Sequence, residues 1–327
     1  MLKETDCVIG IDLGGTKIGI GILNVSGTLI DSVRLKTDSK HGPASVEKQI
    51  MQAIQDLKNR TKVEIKGIGI GVAGQIDEET GVVRFAPNLP GWHQVTLREN
   101  LERGAGIPVK VVNDVRAITW GEWLYGAGKH YQDLICLFVG TGIGSGIVCQ
   151  GKMQKGDNNT FGEVGHMTID FHGPRCTCGN NGCFEAFAGG WGIARQAKEL
   201  ILADNQNGQS ILEKAGGYLE NVSAKAVIEA YHSGDPLALL ILEKVKQALI
   251  AGCVNLVNAF NPACLILGGG VIDGIPEILS FVDKGIRETA LKAATGKLQI
   301  KTALLGKNVG IIGSGAVILD VLKNKFG

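Results

Sequence analysis

Apolar positions along the chain fall into short, dense runs punctuated by glycine, and the first 36 residues set the pattern. Residues 7–13 are apolar almost throughout, 17–23 follow a Gly14-Gly15 turn, and 28–35 follow a second turn at 24–27. This predicts three strands joined as a β-meander. Residues 44–58 then place Val46, Ile50, Ile54 and Leu57 at helical spacing. Two mostly apolar runs, 66–72 and 109–112, predict buried strands, and 114–125 a helix. The second half repeats the theme. Strands are predicted at 134–140 and 144–150 across Thr141-Gly142, followed by a long striped helix over 236–258. A buried strand over 263–267 runs into Gly268, Gly269 and Gly270. A further helix, a strand over 298–303 and a helix from about 309 to 322 close the chain.

Strand, glycine turn and strand thus occur twice, as GIDLGGTKIGIGIL (10–23) and FVGTGIGSGIV (138–148). One such hairpin per half predicts two related lobes closing on a nucleotide. The 327 residues suffice for two domains, and no Pro- or Ser-rich linker separates them. The 48 glycines cluster in short runs, the mark of tight turns and backbone-lined ligand loops. Charge is balanced, 33 basic against 32 acidic residues, which argues against nucleic acid as a partner. The apolar stretch around 248–270 is broken by Asn255, Asn258, Asn261 and Pro262, so no membrane span is expected. The N-terminus reads without a secretory signal. With eight cysteines and no such signal, a reducing cytoplasm is expected.

The turn Asp12-Leu-Gly-Gly-Thr-Lys17 puts a carboxylate at a strand end, followed by Gly14, Gly15, Thr16 and Lys17. Glycines let backbone N–H groups approach phosphate oxygens, and the hydroxyl and ammonium add donors. Asp12 is placed to hold Mg2+, directly or through water. Thr141, Gly142, Ile143 and Gly144 offer a second set of donors. The plainer account is that these glycines only satisfy turn geometry; two such loops, one led by Asp12, favour phosphate. GIGVAG at 69–74 also matches a dinucleotide fingerprint. The polar QIDEETGVV after it is no helix, so that reading is rejected. No P-loop pattern occurs either.

The segment from Gly162 to Glu185 carries the densest chemistry. His166, Cys176, Cys178 and Cys183 form a Cys3His donor set of the kind that binds Zn2+ in a closed tetrahedral shell. The alternatives are a disulfide or buried thiols, but Cys-x-Cys closes too short a loop for a relaxed disulfide. Glu163 and Glu185 flank the cluster, so a metal there would fix two carboxylates. Such an arrangement suits an enzyme gripping a hydroxyl-rich substrate. A filled shell implies a structural metal whose loss is expected to weaken the grip on the hydroxyl-rich substrate and leave phosphate contacts at Thr16 and Thr141 little changed.

With these residues assembled, the chain resembles the ROK family of bacterial sugar kinases, its glucokinases most of all. The resemblance runs from Asp12 to about Gly315. It rests on DLGGTK (12–17), GVAG (71–74), PNLPGW (87–92), VND (112–114), GTGIGSGIV (140–148), GEVGH ending at His166, CTCGNNGCFE (176–185) and LGGGV (267–271). It implies an α/β, actin-like (ribonuclease H-like) two-lobe sugar kinase fold with an interlobe ATP cleft. The expected division is an N-terminal lobe at 1–113, with the C-terminal helix at about 309–327 packed back on it, and a C-terminal lobe at 114–308 bearing the zinc loop.

The resemblance also assigns roles. Asp114 matches the catalytic base, and Gly74, Asn88, Asn113, Glu163, His166 and Glu185 match contacts to the sugar. His166, Cys176, Cys178 and Cys183 match zinc ligands. Residues 14–17 and 141–144 match the phosphate cradle, and a dimer or tetramer is implied. A carboxylate can take the proton of a sugar hydroxyl during phosphoryl transfer. A plainer role for Asp114 is to cap the helix that begins there. Arg116, Trp120, Trp123 and the polar segment 155–161 depart from the family pattern near the expected sugar pocket.

The favoured expectation is ATP-dependent phosphorylation of a hexose, glucose first. An N-acetylhexosamine or fructose kinase is the alternative within the family. A non-catalytic sugar-sensing regulator is the alternative of another class. Family repressors carry an N-terminal helix-turn-helix, for which a first strand at Cys7 is expected to leave no room.

Overall fold

The computed structural model describes residues 3–204 and 208–326. In chain order the strands are β1 (Cys7–Leu13), β2 (Lys17–Asn24), β3 (Leu29–Lys36), β4 (Ile65–Val72), β5 (Gln75–Asp77), β6 (Val82–Phe85), β7 (His93–Val95), β8 (Val109–Asn113), β9 (Leu134–Val139), β10 (Ile143–Cys149), β11 (Lys152–Met153), β12 (Cys264–Gly268) and β13 (Gln299–Thr302). The helices are α1 (Gly42–Thr61), α2 (Leu97–Ala105), α3 (Asp114–Tyr125), α4 (Phe184–Ala188), α5 (Gly190–Ala203), α6 (Gln209–Lys214), α7 (Ala224–His232), α8 (Pro236–Phe260), α9 (Gly270–Asp273), α10 (Ile278–Thr289), α11 (Lys292–Thr295) and α12 (Val309–Phe326). The predicted strands and long helices are present, with ends shifted by a few residues.

The chain divides into two compact units. Unit 1 holds residues 1–131, 151–161 and 304–327, and unit 2 holds 132–150 and 162–303. The boundary expected at 113/114 is therefore displaced: α3 belongs to unit 1, where it packs on α12 and β4. The segment 151–161 also joins unit 1, which no local pattern indicated.

In unit 1 the sheet order is β3-β2-β1-β4-β8. The hairpin β1–β2 is antiparallel, while β1, β4 and β8 run parallel. Central β1 is buried on both faces, which is why its sequence is apolar up to Asp12 rather than alternating. Ile9, Ile11, Ile68 and Ile70 share a core with Val46, Ile50 and Leu57 of α1 and with fully buried Trp92. On α12, Ile311, Ile318 and Leu322 close a second cluster with Val8 and Leu23.

That second contact explains part of the glycine content. A Cβ on Gly69 would stand 1.8 Å from the Ser314 carbonyl oxygen, and one on Gly10 would stand 1.9 Å from that of Ile311. The helix backbone lies against the strands where those side chains would be. Gly69, the first glycine of the rejected dinucleotide pattern, thus serves helix–sheet packing. The chain leaves GIGVAG directly into β5, not a helix, as rejecting that pattern requires.

Unit 2 repeats the arrangement. Strands β10, β9, β12 and β13 lie in that order, with β9–β10 an antiparallel hairpin and β9, β12 and β13 parallel. Helix α8 begins at Asp235, whose carboxylate accepts from Ala238 N at 2.9 Å, with Pro236 in the first turn, and it ends at Asn261 in the left-handed region. Ile241, Leu242, Val245 and Leu249 of α8 pack with Ile135, Leu137, Leu265 and Leu267 of the sheet. Among the described residues no helix is long and apolar enough to cross a membrane.

The small antiparallel sheet β5-β6-β7 and helix α2 were not predicted. The three strands bury little more than Ile76, Val83 and Val95, and α2 buries only Leu97 and Leu101. Such short, mostly polar elements carry no clear period.

Candidate functional site

In open α/β sheets, ligands gather outside the carboxyl ends of the parallel strands. In unit 1 those ends present a coherent set. Asp12 lies near the end of β1, level with Gly71 of β4, and Val72 pairs with Asn113 at the end of β8. Gly74 comes just after β4, and Asp114 comes after β8 as the first residue of α3. The cap of α3 is Asn113: its Oδ1 accepts from Arg116 N at 3.2 Å, and its Nδ2 donates to the Gly74 carbonyl at 3.3 Å. The capping role considered for Asp114 therefore falls to its neighbour.

Asp114 lies near enough to Asp12 for its charge to act on it. Burial, and secondarily the Asp114 carboxylate, pushes the Asp12 carboxyl up to about 6, against the pull of Arg34. A desolvated carboxylate with a second one near it at strand ends is a functional-site signature and a natural cation seat. They also make a prediction. The folded value lies above the roughly 3.9 of an unfolded aspartate, so ionising Asp12 opposes folding as pH rises from about 4 through 6. Asp12→Asn is expected to stabilise the ligand-free protein by about 1–3 kcal/mol near pH 8, the gain vanishing near pH 4. Denaturation midpoints at both pH values check this; an equal gain at both would mean the carboxylate is not strained.

Exposed Thr16 ends the glycine turn between β1 and β2, and exposed Lys17 opens β2. The Gly14 amide is not open to phosphate, because it donates to Lys17 O at 3.0 Å. A Cβ on Gly15 would stand 2.1 Å from the Asn88 carbonyl oxygen, so this glycine lets the exposed Asn88 segment approach. Arg116 is accounted for by a buried ion pair with Glu78 and a hydrogen bond to Asn159 O at 3.1 Å. Lys155 lies 3.5 Å from the other Glu78 oxygen. The departures at 116 and 155–161 thus meet on one buried acid, which anchors 151–161 beside the first turn of α3.

In unit 2, the ends of β9 and β12 lead to Gly140, Thr141 and Gly270 on the rim of a groove of about 730 Å3. Trp191, Ala224, Ile228 and Val271 give it apolar walls, and Lys225, Glu229 and His232 a polar edge. Apart from Gly140 and Thr141 of the glycine turn and the LGGGV motif, these residues gave no sequence signal, since charged positions on α7 read as an ordinary solvated helix face.

Four donors meet in the segment after β10. The ligand atoms of His166, Cys176, Cys178 and Cys183 all lie within 4.8 Å of one another. Cys176 Sγ is 3.7 Å from His166 Nδ1, and Cys178 Sγ is 3.6 Å from Cys183 Sγ. Zinc–sulfur bonds of about 2.3 Å give tetrahedral edges of roughly 3.7 Å, so the cage fits the ion. The loop is closed by Cys176 N to Asn180 O at 2.8 Å and Phe184 N to Met167 O at 2.8 Å. Burial, then the neighbouring thiols, pushes Cys183 up to about 12. A metal that replaces the thiol protons removes that conflict. His172, the other histidine of the segment, is exposed and outside the set. Metal analysis of the purified protein is expected to find about one zinc per chain. Cys178→Ser should cut the content sharply, and native thiols that titrate freely without metal would sink the assignment.

The remaining expected residues separate. Glu163 presents an exposed carboxylate beside His166, whose Nδ1 faces the thiols and leaves Nε2 for another partner. Glu185, expected on the sugar, uses both oxygens within its own unit. Oε2 accepts from Ile143 N at 2.7 Å and Oε1 from Trp191 Nε1 at 2.9 Å. Ile143, expected among the phosphate donors, is thereby engaged, and Gly144 pairs with Phe138 in the hairpin. Thr141 and Gly142 remain at the turn.

Two α/β units that repeat one strand order, each with a glycine turn in its first hairpin, are the architecture of the actin-like two-lobe sugar kinase fold. The chain belongs to the ROK family, whose pattern matches residues 8–321. A glucokinase of Thermotoga maritima is 32% identical over 313 residues, covering 96% of this chain and 97% of the relative. A ROK family glucokinase from Streptomyces griseus, solved in complex with glucose and AMPPNP, superimposes with a TM-score of 0.81 at 31% identity. That match covers 95% of this chain and 98% of the other. The xylose repressor of Bacillus subtilis is 27% identical over 320 residues, covering 97% of this chain and 78% of the repressor.

Proposed function

We propose that this protein is an ATP-dependent hexose kinase, with glucose as the preferred acceptor and glucose 6-phosphate as the product. The observation that carries the reading is the Asp12 and Asp114 pair at the carboxyl ends of β1 and β8. A sensor that only binds sugar has no need of two mutually repelling carboxylates. A phosphotransferase uses one as a base and the other to seat a cation. The glucokinase relatives, and the AMPPNP held by one of them, support the same chemistry.

In this reading Asp114 accepts the proton of the attacking sugar hydroxyl as the bond to phosphorus forms. Asn113, locked as the cap of α3 and bonded to Gly74 O, orients the acceptor from beside it. Asn88, Glu163 and His166 Nε2 offer polar atoms to the other sugar hydroxyls. Lys17 and Thr16, with the backbone at 141–142, meet phosphate oxygens, and the base of the nucleotide lies in the groove lined by Trp191, Ala224 and Val271. Asp12 would hold Mg2+, which supplies charge neutralisation on the phosphates. The cysteine cluster would hold Zn2+ in a closed shell with no position for substrate.

The test is a coupled ADP-release assay with glucose, mannose, fructose, N-acetylglucosamine and N-acetylmannosamine. Turnover is expected with glucose above the rest. Highest turnover on an N-acetylhexosamine or fructose would replace glucose and keep the kinase. Absence of sugar-dependent ADP release across the panel, with sugar binding retained, would make the protein a sensor.

A further inference from the structure

We infer that Arg116, held by Glu78, is a positioning residue for the sugar acceptor: it locks the Asn113–Asp114 corner and docks the loop 155–161 beside it, so that this loop takes part in selecting the sugar. The inference deepens the proposed function and rests on the acceptor lying at the carboxyl ends of β4 and β8.

Arg116 and Glu78 are both buried, at 5% and 1% exposure. Charges so far from water persist only where each has a partner. Their pairing closes a ring of contacts around the end of β8. Asn113 Nδ2 donates to the Gly74 carbonyl at 3.3 Å. From Gly74 the chain runs through β5 to Glu78, whose backbone carbonyl accepts from Lys110 Nζ on β8. The Glu78 carboxylate pairs with Arg116 Nη1, and the Arg116 amide donates back to Asn113 Oδ1 at 3.2 Å. Both polar atoms of the Asn113 side chain are therefore fixed, one by the strand that leaves Gly74 and one by the first turn of α3. Asp114 is the next residue, so its backbone takes the direction that this ring imposes.

The guanidinium has a second arm. Its Nη2 donates to the Asn159 carbonyl at 3.1 Å. A planar fork holds a carboxylate and a carbonyl at once in a fixed relation, which an ammonium does not. The other Glu78 oxygen, without a hydrogen-bond partner among the described residues, faces Lys155 Nζ at 3.5 Å. The loop is thus held at Lys155 and at Asn159, and Phe161 N closes it on Lys155 O at 3.1 Å. Within it, Asn158 Oδ1 accepts from Thr160 Oγ1 at 2.5 Å, and both residues are exposed. Asn159 makes the turn in the left-handed region, φ +63°, which asparagine tolerates. Two residues past Phe161 comes Glu163, the matched sugar contact. Amide and hydroxyl groups docked at the first turn of α3, and leading directly into Glu163, are placed to meet the substituents that distinguish one hexose from another. Arg116 acts on the sugar through them, without touching it.

The test compares single and double variants of the full-length protein in the coupled assay, beside thermal melting. Glu78→Leu or Arg116→Met alone leaves a buried charge unpaired and is expected to lower stability and activity together. The two changes combined remove both charges and keep apolar volume in their place. The Lys155 side chain, 45% exposed, then returns to water. The double variant should therefore melt near the parent. Its KM for glucose should still rise roughly tenfold or more, and its kcat should fall, while the KM for ATP stays within about twofold. Its kcat/KM preference for glucose over mannose should change by about threefold or more. Arg116→Lys supplies the test should the double variant fail to fold. It keeps a charge against Glu78 and loses the fork, so it should raise the KM for glucose and spare that for ATP. A double variant that regains the parent's melting temperature and its glucose kcat/KM together would overturn the inference and leave the pair a purely structural one. Equal rises in the KM for glucose and for ATP, in either variant, would overturn it as well. A parent protein without sugar-dependent ADP release would instead overturn the proposed function, so the two failures are distinguishable.

Discussion

Asp114→Asn is expected to lower kcat by roughly 10²- to 10⁴-fold while leaving glucose affinity within a few-fold of the parent. The carboxamide keeps the shape of the side chain and cannot accept a proton. The structure makes this a clean experiment. Asn113 caps α3, through its contact with Arg116 N, so the substitution leaves the cap in place. The substitution removes one negative charge from the first turn of the helix, worth about 0.3–1 kcal/mol. Relief of repulsion with Asp12 offsets that loss. The measurement is kcat from the coupled assay beside a glucose Kd from calorimetry. A variant keeping more than about a third of the parent kcat would show that Asp114 is not the base. A variant that loses glucose binding and kcat together would make Asp114 chiefly a sugar contact.

The second large effect is on stability. Gly69→Ala is expected to destabilise unit 1 by about 3 kcal/mol or more. The new methyl would stand 1.8 Å from a backbone oxygen and 2.7 Å from the carbonyl carbon of Ser314. Neither neighbour is the tip of a side chain that could swing away, so α12 must lift off β4. That helix also covers β1 and packs on α3, so the shift reaches both Asp12 and Asp114. Urea denaturation gives the cost directly. Gly42→Ala is a useful comparison, because nothing lies within 4 Å of its Cβ position and only its φ of +78° opposes the change. If the two variants unfold at the same urea concentration, helix–sheet approach is not what Gly69 serves.

The sequence by itself determined whatever depends on short spacing. Apolar runs located the strands of both sheets, because a strand buried on both faces must be largely apolar, and the central β1 is apolar except for Asp12. The interval Cys176, Cys178, Cys183, with His166 ten residues upstream of the first, identified the four-donor cluster that could hold a metal, because a compact loop brings near neighbours together whatever lies around it. The glycine turns after Asp12 and Gly140 were legible for the same reason. Tertiary structure decided the rest. Adjacent Asn113 and Asp114 were both candidate polar groups at a strand end; which one caps α3 depended on backbone angles at the end of β8, and Asn113 took the cap. Glu185 stands two residues after the cysteine loop, and the resemblance matches it to a sugar contact. Its partners are Ile143, 42 residues away, and the Trp191 indole at the start of the next helix. Gly69 looked like part of a phosphate fingerprint, yet it is α12, from the far end of the chain, that presses on it. Arg116 and Lys155 belonged to no motif, yet converge on buried Glu78. In each case the deciding contact depends on packing that no local window reveals. Hydrophobic period and ligand spacing encode what a segment becomes, whereas the partner of a polar side chain is set by how the segments pack.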